Sequence, residues 1–283
     1  MIVTSSRQAR AGWPALPQRR PPRRRPTFAT LRVPISRPAR LVLVATSIVG
    51  PFVAWLLLAL AIDDPKTLPT PFAAVQAGID LTRTGVLPED AWASLRRVLS
   101  GFGLAVLASV PLGLLMGSFL AGWSLFEPVL GVVRYLPPVA FAPMLVAWQG
   151  LDEAPKITLI FLATFFFNTL MTADVIRGVP PNLIDVSYTL GARTGEIVRK
   201  VIVPYSLPGI IDAIRVNAAA AWGYVVVAEL YSAEAGLGYR IARAARFRNF
   251  DDMFAALIVI GLIGVTTDVL LRVTRDRIGR WLP

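Results

Sequence analysis

Leu41–Ile62 reads LVLVATSIVGPFVAWLLLALAI, 22 consecutive residues without a charged side chain. At 1.5 Å per residue a helix of this length reaches about 33 Å, enough to cross a hydrocarbon core of about 30 Å. Pro51 interrupts the run, and neighbouring helices can repair such a break. The rest of the chain supports a membrane reading. Of the 283 residues 55% are hydrophobic and only 17% are charged, whereas soluble domains carry roughly a quarter charged residues.

Working outward, the same pattern recurs. Val98–Phe126 is a second uncharged run, with Ser109, Gly113 and Gly117 spaced by four so that another helix can approach closely. Tyr135–Leu151 is expected to be a third span, broken by Pro137, Pro138 and Pro143, and Ile157–Ala173 a fourth. A fifth runs from about Leu207 to Leu230 and contains Asp212, Arg215 and Glu229; a sixth runs from Met253 to about Leu271. The expected fold class is an all-α membrane protein with about six transmembrane helices.

The net charge of +11 is concentrated at one end. Residues 1–40 hold ten Arg and no Asp or Glu, so the remaining chain has 19 basic against 18 acidic residues. This Pro-rich basic tail is expected to be disordered and cytoplasmic, near lipid headgroups. Basic flanks at both ends place both termini in the cytoplasm. Residues 63–90, with five acidic and two basic side chains, then form an external connection containing a short amphipathic helix over Phe72–Leu81. Residues 91–275 form a five-helix core that includes an internal loop, 178–206, and 276–283 form a cytoplasmic C-terminus. The external loop 231–251 breaks the charge rule by carrying Arg240, Arg243, Arg246 and Arg248. These are candidates for contact with an anionic solute or an acidic protein surface, or for pairing with Glu234, Asp251 or Asp252.

There is no Cys and no His. This excludes disulfides, thiolate metal sites, Cys nucleophiles and His bases. No phosphate-binding Gly-rich loop ending in Gly-Lys-Ser/Thr is present. No catalytic or metal-binding residues are expected, and no cofactor is expected in this chain.

Ionisable or polar groups within spans are costly and mark candidate pathways. Arg134, Asn168, Trp222 and Glu229 are the candidates here. Asp212 and Arg215, three apart, are expected to pair.

The loop between spans four and five reads PPNLIDVSYTLGAR over Pro180–Arg193. Two prolines stop the incoming helix, Asn182 suits an N-cap, Asp185 favours the helix dipole, and Gly191 suits a left-handed stop. A helix of about two turns, Leu183–Leu190, follows. It is too short to persist alone. Its apolar side chains must pack either on its own bundle or in a groove of a partner. A second helix, Thr194–Val203, is expected to end at Pro204.

This loop resembles that of ATP-binding-cassette importer permeases, which reads Glu-Ala-Ala, three residues, Gly, nine residues, Ile-x-Leu-Pro. Here Asp185-Val186-Ser187, Gly191 and Val201-Ile202-Val203-Pro204 keep every spacing. The resemblance covers roughly residues 65–275 and is closest to the nitrate, sulfonate, taurine and bicarbonate branch. Supporting stretches are Leu68-Pro69-Thr70-Pro71, Ser94-Leu95-Arg96-Arg97-Val98, Pro111-Leu112-Gly113, Arg134-Tyr135-Leu136-Pro137-Pro138, Ala228-Glu229-Leu230 and Gly236-Leu237-Gly238.

The resemblance implies a type I importer permease fold in a bacterial inner membrane. It implies that Leu183, Ile184, Asp185, Val186, Ser187, Leu190, Gly191, Ala192 and Arg193 couple to a separate ATP-binding subunit, which holds ATP and Mg. Further implied partners are an external substrate-binding protein and a second permease copy; lipid surrounds the spans, and no nucleic acid is involved. The main rival is a secondary, ion-coupled transporter, which would favour His relays or internal repeats that this sequence lacks.

Overall fold

The computed structural model describes residues 35–280. The expectation for the basic tail therefore lies outside the described residues, apart from its last few positions. The chain falls into two compact units, Met1–Ala54 and Trp55–Pro283. The boundary lies inside helix α1 (Arg37–Ile62). Within the second unit, Trp55 donates its Nε1–H to the Pro69 carbonyl at 2.9 Å and stacks on Phe254. Just beyond α1, the Thr67 hydroxyl and the Lys66 N–H donate to Asp64, holding its carboxyl below the ordinary value.

Helix α2 (Pro71–Arg83) starts where the sequence predicts. The Thr70 hydroxyl accepts the Ala73 N–H, and Pro71, which has no N–H to satisfy, occupies the first turn. Gly85, at φ +79°, turns the chain into α3 (Val86–Ser118). Among the described residues five helices are long and apolar enough to cross a membrane. These are α1, α3, α6 (Glu153–Arg177), the helical run Thr194–Tyr231, and α11 (Phe250–Ile278). A bent pair brings the total to six if it counts as one span.

That bent pair corrects two expectations. The second span does not run Val98–Phe126: α3 begins earlier and ends at Ser118, and Phe119 is extended before α4 (Leu120–Val133). At this corner Gly122 meets the Leu115 carbonyl so closely that a Cβ would lie 2.8 Å from its oxygen. The apolar run continues through the turn, so hydropathy cannot locate it. The third span is not a helix over Tyr135–Leu151. The backbone is irregular across Arg134–Pro137. A 3-10 turn (Pro138–Phe141) then leads into α5 (Ala142–Gln149), bent by 78° from α4. Pro137 and Pro138 supply no N–H, and their rings clash with a continuing helix, so the break follows.

Helices α3 and α6 run in the same direction and form the centre of the bundle. Cβ atoms added at Gly101, Gly113 and Gly117 would meet Ile160, Thr172 and Ile176 at 2.6–2.8 Å. The pairs keep one offset along both helices, with Ala105 and Ser109 filling the same four-residue row, both fully buried. Two rows of four-residue spacing thus interlock, and only small side chains allow it.

The segment after α6 contains α7 (Pro181–Thr189), α8 (Thr194–Ile197) and a five-residue π turn (Val198–Ile202) that flows into α9 (Val203–Ser232). Pro204 therefore does not end a helix, as expected from sequence; it sits in the first turn of the long one. The wider turn lets the Val203 N–H reach back to the Val198 carbonyl and accommodates the missing donor. Helix α9 returns antiparallel along α6, so Asn217 faces Asn168 and Val225 packs with Ile160. Helix α10 (Leu237–Arg246) is short and strongly amphipathic, and α11 returns toward the α7 end.

Candidate functional site

Helix α7 stands at the end of the bundle where α3 and α6 finish. Its cap is Pro180, so the expected N-cap Asn182 instead lies in the first turn and Asp185 falls at the fifth helical residue. Gly191 is left-handed, at φ +82°. The Ala192 N–H bonds the Ser187 carbonyl and the Gly191 N–H bonds the Tyr188 carbonyl, the paired closure that a left-handed residue after a helix permits. Arg193 then starts α8, its N–H donating to Glu196.

The side chains of α7 divide sharply. Ile184, with Ala192 just beyond the helix, packs against the buried cluster of Ile176, Val179, Ile197 and Ile202. Leu183, Val186, Tyr188 and Leu190 are exposed, Leu190 by 81%. No residue of α7 is buried. Burying an aliphatic side chain is worth about 1.5–3 kcal/mol, and this helix leaves that gain uncollected along one face. Asp185 and Arg193 are also exposed, and Ser187 bonds its own helix through the Leu183 carbonyl.

At the opposite end, sequence fragments far apart in the chain meet in one charged cluster. Arg97 grips Glu153 through two bonds of 2.7 Å and donates to Glu229 at 2.8 Å and to the Ala235 carbonyl at 2.7 Å. Ser94 donates to Glu229 at 2.7 Å. The first N–H groups of α10 point into the cluster. Gly236 donates to Asp90, Leu237 to Ser94 and Gly238 to Glu229. A helix terminus leaves these donors without intrahelical partners, and here other helices satisfy them. Gly236 has φ +136°, and a Cβ there would lie 2.5 Å from the Glu229 carboxylate. Glu229, a pathway candidate from sequence, is thus enclosed and caps α10. Reading single residues missed Asp90, Ser94, Arg97 and Glu153 as a group. The signal for two of them, Ser94 and Arg97, was their place in a motif fragment quoted above; Asp90 and Glu153 lie in none.

The four loop arginines separate. Arg240 is bound to Asp90 at 2.7 Å, not to Glu234, Asp251 or Asp252 as sequence suggested. Arg243 and Arg246 are exposed and line a cleft of about 450 Å³ with Tyr231, Tyr239 and Phe247. Arg248 follows the helix at φ +59°. Asn168 is buried; its Nδ2–H donates to the Ser109 hydroxyl and its Oδ1 accepts from Asn217 at 3.4 Å. Trp222 is buried beside Ile160, and its Nε1 has no partner among the described residues. Arg134 is exposed at the C-terminal cap of α4, lying over the Tyr135 ring at 5.1 Å. Asp212 and Arg215 do approach, at 3.6 Å, within a wider network that includes Asp268 and Arg275.

Together these features define a class: a multi-span helical membrane protein with a folded helix cluster at each end of its bundle. The model of binding-protein-dependent transport system inner membrane components matches residues 109–280. The chain belongs to that family of ABC transporter permeases. It is 39% identical over 214 residues to a Brucella melitensis protein described as a probable ABC transporter permease, covering 76% of this chain and 87% of the relative. It is 30% identical over 255 residues to the taurine transport system permease protein TauC of Escherichia coli, covering 88% and 92%. A nitrate import permease protein, NrtB, of Leptolyngbya laminosa is 26% identical over 186 residues, covering 66% and 67%. In fold it is similar to an inward-facing structure of the MetNI methionine ABC transporter, with a TM-score of 0.61 at 21% identity, covering 71% of this chain and 98% of the other.

Proposed function

We propose that this chain is the membrane-spanning subunit of an ATP-driven importer for a small anion of the sulfonate, taurine, nitrate and bicarbonate class. The observation that carries the reading is the exposed apolar face of α7. Leu183, Val186 and Leu190, spaced by three and four, face outward together; Tyr188 is exposed as well, while Ile184 and, just beyond the helix, Ala192 pack on the bundle. A groove in an ATP-binding subunit accounts for that face better than water does. Asp185, Ser187, Gly191 and Arg193 shape or flank the contact.

In this reading the α7 end and both termini face the cytoplasm of a bacterial inner membrane, and the α10 end faces outward. A loaded binding protein docks at the outer end. ATP and Mg are held by the partner subunits, whose closure moves the α7 helices of two permease copies and rocks the halves between inward and outward access. Relatives named for taurine, sulfonate and nitrate transport support an anionic solute.

Co-purification with the ATP-binding and binding-protein partners, followed by reconstitution in liposomes, tests the proposal. ATP hydrolysis should rise when the binding protein carries its anion. Solute uptake that proceeds without the ATP-binding subunit would overturn it.

A further inference from the structure

The broken backbone at Arg134–Pro137 lies halfway through the bundle. Arg134 and Leu136 share a small cleft with Leu162, Phe166 and Phe167 of α6. The uncharged stretch of α6 is Ile157–Ala173, 17 residues centred on Phe165. Arg134 is therefore near mid-depth. A core of about 30 Å leaves roughly 15 Å to either surface from there, too far for the guanidinium to snorkel out.

Three observations make a lipid environment untenable. Arg134, Tyr135, Leu136 and Pro137 are all exposed in this chain, Tyr135 by 76%. Pro137 and Pro138 offer no N–H to the carbonyls of the preceding turn, and irregular backbone at this depth persists only inside protein or beside water. Among the described residues no carboxylate pairs with Arg134; its side-chain partner is the Tyr135 ring and hydroxyl. By contrast Arg97, Arg215, Arg240, Arg272 and Arg275 all bind carboxylates. A charge in hydrocarbon costs several kcal/mol, so this face needs water and a counter-charge.

We infer that the Arg134–Pro137 break lines the aqueous passage, and that Arg134 is the mid-depth contact for the oxyanion of the solute. The inference deepens the transport reading and rests on it for the passage. The cation offers charge-assisted bonds to a sulfonate, nitrate or carboxylate oxygen. Tyr135 lies under the guanidinium and accepts one N–H at 3.3 Å, which leaves the remaining donors for an anion.

The chain contains no cysteine, so a single introduced thiol reports its own surroundings. Tyr135→Cys, Leu107→Cys and the pair Arg134→Gln/Tyr135→Cys are to be made in the full chain in nanodiscs. Each is treated with a sulfonate-bearing and a trimethylammonium-bearing methanethiosulfonate; size exclusion confirms that the variant is folded, and maleimide labelling after denaturation in SDS confirms that the thiol is present and unoxidised. Leu107 is 72% exposed and close in level to Arg134 on α3. Its thiol should resist both charged reagents, because hydrocarbon suppresses the thiolate.

The thiol at position 135 should react with both, the anionic reagent ahead of the cationic one. Arg134→Gln should lower the anion-to-cation rate ratio by about tenfold, from Coulomb attraction at an intermediate dielectric. An unreactive thiol at 135 would mean that lipid or a second copy seals the face, and would overturn the inference. Reaction without a change of ratio would overturn the anion contact. Neither readout needs the ATP-binding subunit. Failure of reconstituted uptake with the ratio intact would therefore refute the importer proposal and leave this site standing.

Discussion

Arg97 on α3 and Glu229 on α9 stand 132 positions apart and meet at 2.8 Å, with the Glu229 side chain wholly enclosed. The contact joins two spans and orients a third element, because Glu229 also accepts the Gly238 N–H at the start of α10. Three carboxylates (Asp90, Glu153, Glu229) face three cations (Arg97, Lys156, Arg240) in this cluster. It is balanced in charge, so its components are expected to depend on one another.

Replacing Arg97 by Met should therefore be severe. It leaves Glu229 enclosed without its cation, and breaking a buried pair from one side costs about 3–5 kcal/mol. Glu229→Gln, which keeps an acceptor and removes the charge, should cost less. Thermal unfolding of the purified chain in detergent measures both, and an unchanged midpoint for Arg97→Met would contradict the arrangement.

The α3–α6 seam makes a paired prediction. Gly113→Val drives new atoms into Thr172 and the Thr169 carbonyl, where even a Cβ would sit at 2.7–2.8 Å. Overpacking of this kind costs about 1–3 kcal/mol, more where backbone must move. Gly103, on the same helix, has open space at its Cβ position. Gly103→Ala should be neutral or stabilising by up to about 1 kcal/mol. Equal effects from the two substitutions in a stability assay would rule out the tight seam.

Val186→Glu on α7 separates folding from partnership. The side chain is 57% exposed, so stability should move by no more than about 0.5 kcal/mol. Co-purification of the ATP-binding subunit, and stimulation of its hydrolysis, should both be lost. Retained coupling with a charge at this position would discredit the docking face.

Asn168 tests whether a buried polar residue is architecture or passage. Its bonds to Ser109 and Asn217 tie α6 to α3 and α9. Asn168→Leu should lower the unfolding midpoint, by about 1–2 kcal/mol in free-energy terms. Reconstituted uptake per folded molecule should stay near wild type. A large loss of uptake in a fully stable variant would instead make Asn168 part of the passage.

Much of this was visible in the residues. Apolar runs marked α1, α6, α9 and α11, the last two in spite of internal charges, because lipid demands continuous apolar helix whatever the tertiary arrangement. Gly191 declared a left-handed stop, and the spacing of the α7 loop declared the family. The Phe119 corner was not visible, since one extended residue between two apolar helices leaves no trace in hydropathy. Nor was the passage of the chain through Pro204, since a π turn can absorb the missing donor.

Chain order and composition therefore determined which segments enter the membrane and which short helix waits outside it, because those follow from local hydrophobicity and backbone chemistry. Only the tertiary structure decided which charges are spent and which are left over. Glu229 and Arg240 look as available as Arg134 and Arg243 when read along the chain. Burial and partners brought from positions more than a hundred residues away make the first two internal supports and leave the others facing outward.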